Sequence, residues 1–244
     1  MKQDSTAVQL RGNPGQLSTV LHLPETASTR KTLSRFSSCS VNLPGVDVRR
    51  ASIRELDAAR PGLSMLRIKL PVSTPPGNYK GTVQVGDKEF PIVVDVESQP
   101  RLRLFPDCLR ATVAPGSVLN AKFTVANTGN DTANLEKEYR FCVFERGGID
   151  RALFVALGGD QTPGDRRIDK LVNELSVSHG GRVRLVIETG AGALAPGEVR
   201  ELCIALRLSD RLRPGQTYSG NWRIENAGVA IELLVAGEIQ ETAK

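Results

Sequence analysis

The sequence predicts an all-β chain of two antiparallel β-sandwiches in tandem, the second carrying an inserted amphipathic helix. Three observations lead there. Apolar and polar residues alternate along many short runs, which is the period of strands with one buried face. Pro-Gly and Asn/Gly clusters punctuate those runs as turns between strands do. One phrase also occurs twice, as Pro76-Gly77-Asn78-Tyr79-Lys80-Gly81 and as Pro214-Gly215-Gln216-Thr217-Tyr218-Ser219-Gly220. Each copy follows another Pro-Gly and a strand-like run, and each leads into alternating residues, a Gly-containing turn and a second alternating run. The repeat places one sandwich over residues 1–98 and the other over 101–244.

Composition agrees with this reading. A chain of 244 residues suits two domains with real cores. Aromatics make up only 5%, so Val, Ile and Leu carry the apolar load, and a dedicated sugar-stacking platform is not expected. The net charge of +5 is dispersed: Arg30, Lys31 and Arg35 form one loose group, and Arg49, Arg50 and Arg54 another. A nucleic-acid binder shows a denser basic stripe, so no nucleic-acid partner is expected. No apolar stretch is long enough to span a membrane.

The polar start, Met1 to Ser5, is not a signal peptide. It fits a cytosolic protein, or an exported one whose leader is absent from this chain. Cys39 lies in the first unit, and Cys108, Cys142 and Cys203 in the second. One plus three cannot form two intradomain disulfides, and the spacings match no CxxC metal pattern. Partly buried, unbridged thiols are expected ahead of a bridge in the second unit.

In the first unit, Ala7 to Leu10, Ser18 to Leu23 and Phe36 to Leu43 read as short strands. Ser52-Ile53-Arg54-Glu55 has the form of a capping box and predicts one helical turn, ended by Pro61-Gly62. Leu66, Ile68 and Leu70 alternate with Arg67 and Lys69. After the repeated phrase, Val83 and Val85 lead to a two-residue turn at Gly86-Asp87, where Gly tolerates the positive φ of the first position. Phe90, Ile92, Val94 and Val96 return along the same face. Ser98-Gln99-Pro100 is the linker.

In the second unit the alternating runs are Leu119 to Val125, Tyr139 to Val143, Val183 to Ile187, Leu202 to Leu208, Trp222 to Ile224 and Ile231 to Val235. One segment, about 148–181, breaks the pattern. Thr162 suits an N-cap, Pro163 the first helical position and Asp165 the first turn. Ile168, Leu171, Val172 and Leu175 then fall on one helical face, and Gly180-Gly181 ends the helix. The stripe suits packing on its own sandwich first, and a partner's surface second.

Ala114-Pro115-Gly116, a strand, and Asn127-Thr128-Gly129-Asn130 resemble the opening of bacterial Ig-like domains. Such domains occur in cell-surface and secreted proteins and are appended to glycoside hydrolases. Leu194-Ala195-Pro196-Gly197, Leu202 to Leu208, Pro214-Gly215 and Tyr218-Ser219-Gly220 resemble the closing half of the same domains. In the first unit only the closing half matches, through Pro61-Gly62, Leu66 to Leu70 and Pro76 to Gly81. The resemblance covers most of the second unit outside the insertion and about half of the first. It implies an Ig-like fold in which the Tyr of the repeated phrase packs at a sandwich corner with its hydroxyl bonded, and the following Gly permits close approach of backbone. Such sandwiches host many unrelated roles.

No catalytic constellation is present: there is no HExxH, no GxSxG and no phosphate-cradling Gly-rich loop. His22 reads as a strand residue, and His179 as a residue near a helix C-terminus. Asp160, Asp165 and Asp169 lack the spacing of a calcium loop and read as capping and surface charge. Asn130-Asp131-Thr132 matches a glycosylation sequon but reads as a turn. Trp222, Tyr139 and Tyr218 are in strand phase and read as core.

The expectation is therefore a non-enzymatic Ig-like tandem with no cofactor and no metal, which binds or positions a protein partner in the periplasm or outside the cell. One alternative is an intracellular scaffold or assembly subunit. Another is the accessory domain pair of a larger secreted enzyme. The residues singled out for a partner are Ile168, Leu171, Val172 and Leu175.

Overall fold

The computed structural model describes residues 7–22, 37–56, 63–86, 88–158 and 164–237. Among the described residues the chain is all-β apart from two helices, and it divides into two compact units. One takes residues 1–101 with 128–132 and 195–197, and the other takes the rest.

Among the described residues the first unit has eight strands: β1 (Val8–Gly12), β2 (Leu17–His22), β3 (Ser37–Ser38), β4 (Ser40–Asn42), β5 (Arg50–Glu55), β6 (Leu63–Lys69), β7 (Gly77–Val85) and β8 (Lys88–Val96). They form two four-stranded sheets, in the orders β1-β8-β7-β4 and β2-β6-β5-β3. Only the β1–β8 pair is parallel. Alternation puts Leu10, Val83, Val85, Ile92, Val94 and Val96 on the inner face of the first sheet. Leu17, Leu21, Ile53, Leu66 and Ile68 occupy that of the second, and all join one buried cluster. Two sheets sharing one core through their inner faces make a sandwich.

The helical turn expected at Ser52 to Glu55 is corrected: these residues lie in β5. Ile53 is buried at 1% exposure, and the strand is paired on both sides, with β3 and with β6. A ladder on two sides satisfies more backbone groups than one helical turn can. Val85 pairs with Lys88 across the tight turn that opens at Gly86, whose φ is 59°. Asp87, Pro61-Gly62, Arg30, Lys31 and Arg35 lie outside the described residues.

The second unit contains β9 (Leu102–Phe105), β10 (Cys108–Val113), β11 (Val118–Asn127), β12 (Ala133–Leu135), β13 (Glu138–Glu145), β14 (His179–Thr189), β15 (Gly192–Leu194), β16 (Val199–Arg207), β17 (Thr217–Ile224) and β18 (Ala227–Val235). Eight of them form one sheet in the order β10-β18-β17-β13-β14-β16-β11-β9, while β12 and β15 pair separately. The two edges, β9 and β10, are consecutive in the chain and are separated by the cis Phe105–Pro106 peptide. Inward residues from both halves of this sheet meet in one cluster around Trp222, so the sheet folds over on itself. Register shifts at Cys142/Phe144 and Ile187/Thr189 are the bulges that bend it. Phe123 and Tyr139 meet the Trp222 ring edge-on, at centroid distances of 5.5 and 5.8 Å.

The repeated phrase occupies β7 in one unit and β17 in the other. Tyr79 Oη donates to Pro75 O at 2.8 Å, and Tyr218 Oη accepts from the Arg213 amide at 3.1 Å, so each hydroxyl bonds the turn before its strand. The glycines that follow serve one purpose. A Cβ on Gly81 would lie 2.1 Å from Asn42 O, and one on Gly220 would lie 2.9 Å from Cys142 O. Only a residue without a side chain lets the neighbouring strand pass there.

Two helices lie between β13 and β14 in the chain: α1 (Gly148–Leu157) and α2 (Gly164–Ser178). One was expected. Gly180 and Gly181 do not end α2 through a loop, because β14 begins at His179, directly after Ser178.

Candidate interaction surface

The chemistry-bearing residues are dispersed. Among the described residues, no group of three or more His, Cys, Asp and Glu side chains could hold a metal ion. His179 is half-buried on β14, its ring edge-on to Phe144 at 5.1 Å. Thr162, Pro163 and Asp160, and the side chains of His22 and Asp165, lie outside the described residues. Asp169 is exposed on α2. The four cysteines are half-buried and unbridged, and burial pushes the Cys39 thiol up. Trp222 and Tyr218 are fully buried, and Tyr139 is half-buried against Trp222. Asn130 is also buried. Its Oδ1 accepts from the Gln99 amide at 2.7 Å and its Nδ2 donates to Glu97 O at 2.9 Å, which makes it a structural turn residue.

The helical hairpin is different in kind. Gly147, at φ 74°, turns the chain out of β13 into α1. Gly148, Ala152 and Ala156 recur every four residues and are the buried positions of α1. A face of small residues lets a neighbouring helix approach closely. That neighbour is α2, whose last residue, Ser178, lies against the first residue of α1. The helices are therefore antiparallel.

One buried carboxylate ties the hairpin to its sheet. Glu145, the last residue of β13, has a side chain only 3% exposed. Arg151 of α1 donates to both of its oxygens, with Nη2 to Oε2 at 3.1 Å, and Arg213 donates to Oε2. Arg151 Nη2 also donates to Ser178 Oγ at 3.3 Å, and its Nε lies 3.5 Å from Glu174 Oε2. Burial alone would raise the Glu145 carboxyl. The hydrogen bonds from Arg151 and Arg213 outweigh it and hold the group below its ordinary value.

Above this anchor the hairpin is apolar on its surface. Ile168, Val172 and Leu175 of α2 are exposed, from 38% for Leu175 to 65% for Ile168, and Leu171 is half-buried beside them. The stripe read from the sequence thus faces solvent and is not covered by the sandwich. It also has a counterpart: Ile149, Leu153 and Leu157 of α1 are exposed as well.

Helical geometry decides whether the two stripes share a side. At 100° per residue, Ile149, Leu153 and Leu157 run to one side of the Gly148/Ala152/Ala156 face. Ile168, Val172 and Leu175 run to the corresponding side of the buried Ser178 face. Because the helices are antiparallel, both sides turn the same way. The six aliphatic residues therefore form one face of the hairpin.

No family model matches the chain, and no curated protein matches it. Solved structures do. A protein of unknown function from Porphyromonas gingivalis W83 is similar over 94% of this chain and 97% of its own, with 9% identity and a TM-score of 0.28. The I67–I69 Ig fragment of titin is similar over 94% of this chain and 62% of its own, with 8% identity and a TM-score of 0.33. A family 123 glycoside hydrolase from Clostridium perfringens is similar over 55% of this chain and 23% of its own, with 10% identity and a TM-score of 0.30. Likenesses this low assign no function. They place Ig domains among the chain's distant structural neighbours.

Proposed function

We propose that the chain is a non-catalytic tandem of two Ig-like sandwiches, the second with an inserted helical hairpin, and that it binds or positions a protein partner through that hairpin outside the cytoplasm. One observation carries this reading: the six-residue aliphatic face shared by α1 and α2. Leaving that much aliphatic surface in water is unfavourable, and contiguous exposed apolar patches on soluble proteins mark interaction sites. The Glu145 anchor supports the same reading, because it gives the face a defined base on the sheet.

Affinity capture from a native extract tests it. The wild-type chain should retain a protein that the Ile168→Asp/Val172→Asp variant does not. Equal recovery by both, or turnover of a substrate by the purified chain, would overturn the proposal.

A second reading is an intracellular assembly subunit. It is favoured by the four unbridged, half-buried cysteines, since oxidising compartments promote pairing of accessible thiols. Thiol titration of protein isolated from its native source under denaturing, non-reducing conditions separates the two. Four reactive thiols favour the intracellular reading, and fewer favour export.

A further inference from the structure

We infer that the occupant of the hairpin face is the same face of a second copy of this chain, the two hairpins forming a four-helix bundle. This rests on the hairpin being the docking surface. Three features select a second copy.

The first is charge. The centre of the face is aliphatic, built of Ile149, Leu153, Leu157, Ile168, Val172 and Leu175, and Phe154, 78% exposed, borders it beyond Leu157. Of the charged positions, Asp150 falls between Leu157 and Phe154 and Asp169 beyond Val172, both outside that aliphatic centre, where an interface rim stays in water. A face without charge can meet itself with no like-charge repulsion, whereas a face selecting a charged partner carries the complementary sign.

The second is spacing. Ile149, Leu153 and Leu157 follow i, i+4, i+8, and Ile168, Val172 and Leu175 follow i, i+4, i+7, the seam by which helices interdigitate in bundles. Two antiparallel helices meeting an identical pair give an isologous, closed interface.

The third is area. Six aliphatic side chains exposed to this degree present on the order of 500 Å² of apolar surface, and a standard interface covers about 800 Å² per partner, its rim included. The same composition argues against a bilayer. Interfacial helices carry Lys and Arg beside the apolar face, whereas Asp150 and Asp169 border this one.

Sedimentation velocity over nanomolar to high-micromolar concentrations, with the intact chain, tests the inference. The expected result is a reversible shift from the 26.4 kDa monomer to twice that mass. Ile168→Asp on α2 and Leu157→Asp on α1 should each weaken pairing by about a hundredfold, the effect of losing a central apolar anchor. Both side chains are exposed, so circular dichroism and Trp222 fluorescence should be unchanged. Val177→Asp, on the reverse side of α2, should pair as the wild type does.

A chain that stays monomeric throughout, or a dimer indifferent to both substitutions, would overturn self-pairing. If the chain is monomeric while Ile168→Asp/Val172→Asp abolishes capture of another protein, only self-pairing fails. If capture is also indifferent, the docking reading fails with it.

Discussion

Gly148, the first residue of α1, lies against Ser178, the last residue of α2, with no room between them for one more carbon. A Cβ on Gly148 would lie 2.6 Å from Ser178 Cβ and 2.7 Å from its Oγ. Ser178 Oγ in turn donates to Glu174 O at 2.8 Å and lies 3.3 Å from Gly148 O. The contact closes the base of the hairpin, so it determines how the two halves of the aliphatic face sit side by side.

Gly148→Ala should therefore destabilise the hairpin, although alanine is the better helix former. The propensity gain is at most about 1 kcal/mol, while overpacking a tight contact costs about 1–3 kcal/mol. The net loss should appear as faster amide exchange across α1 and α2. In a Ser178→Gly background the loss should shrink, because the crowding carbon is gone. An equal loss in both backgrounds would refute steric crowding as the cause.

The Glu145 anchor makes the hairpin's attachment depend on pH. Its folded carboxyl titrates below the ordinary value of 4.5. A depressed carboxyl contributes stability that is fully present above the unfolded value and is lost as pH falls through the folded one. Glu145→Gln should cost about 2 kcal/mol near neutrality, the range for hydrogen bonds to a charged group. That difference should narrow as pH falls below 4.5. Thermal melts of the wild type and Glu145→Gln from neutral to acid pH measure it, and a pH-independent gap would argue that the carboxylate charge is not the anchor.

How much of this was legible in the sequence depended on where each side chain's partner lies. Strands with one buried face announced themselves by alternation, and Leu202 to Leu206 sits in β16 where the alternation put it. Ser52 to Glu55 misled because a capping box is a local signal. The burial of Ile53 between β3 and β6 is a long-range one. Helix α1 escaped notice because Ala152-Leu153-Phe154-Val155-Ala156-Leu157 is apolar at every position and shows no stripe. The usable signal was the four-residue spacing of Gly148, Ala152 and Ala156, the small residues that α2 packs against. The α2 stripe was legible, but its exposure was not, since periodicity says which residues share a face and not what covers them.

Asn130 provides a test away from the hairpin. Its side chain satisfies one partly buried acceptor and one partly buried donor of the segment 97–99, at Glu97 and Gln99. Asn130→Ala removes both bonds at once and should cost about 1–3 kcal/mol, the penalty for leaving partly buried backbone groups unpaired. Asn130→Asp retains the acceptor for the Gln99 amide and loses the donor to Glu97 O, so its cost should fall between those of wild type and alanine. Chemical denaturation of the three proteins ranks them. An Asp variant no better than Ala would show that the Gln99 bond contributes nothing.

The two tyrosines of the repeated phrase should differ in what their hydroxyls contribute, because the same residue type is set at different depths. Tyr218 is fully buried, and its Oη is the acceptor for the Arg213 amide at 3.1 Å. Arg213 also donates to Glu145, so this bond helps place a guanidinium of the hairpin anchor. Tyr79 is half-buried and donates to Pro75 O at an exposed position, where water can replace the hydroxyl. Tyr218→Phe should therefore cost about 1–2 kcal/mol and Tyr79→Phe no more than about 0.5 kcal/mol. The Tyr218 substitution should also add less when Glu145 is already Gln, since the two act through Arg213. Equal costs for the two phenylalanine variants would mean that burial does not set the worth of these bonds. Strict additivity with Glu145→Gln would mean that Arg213 does not couple the corner to the hairpin.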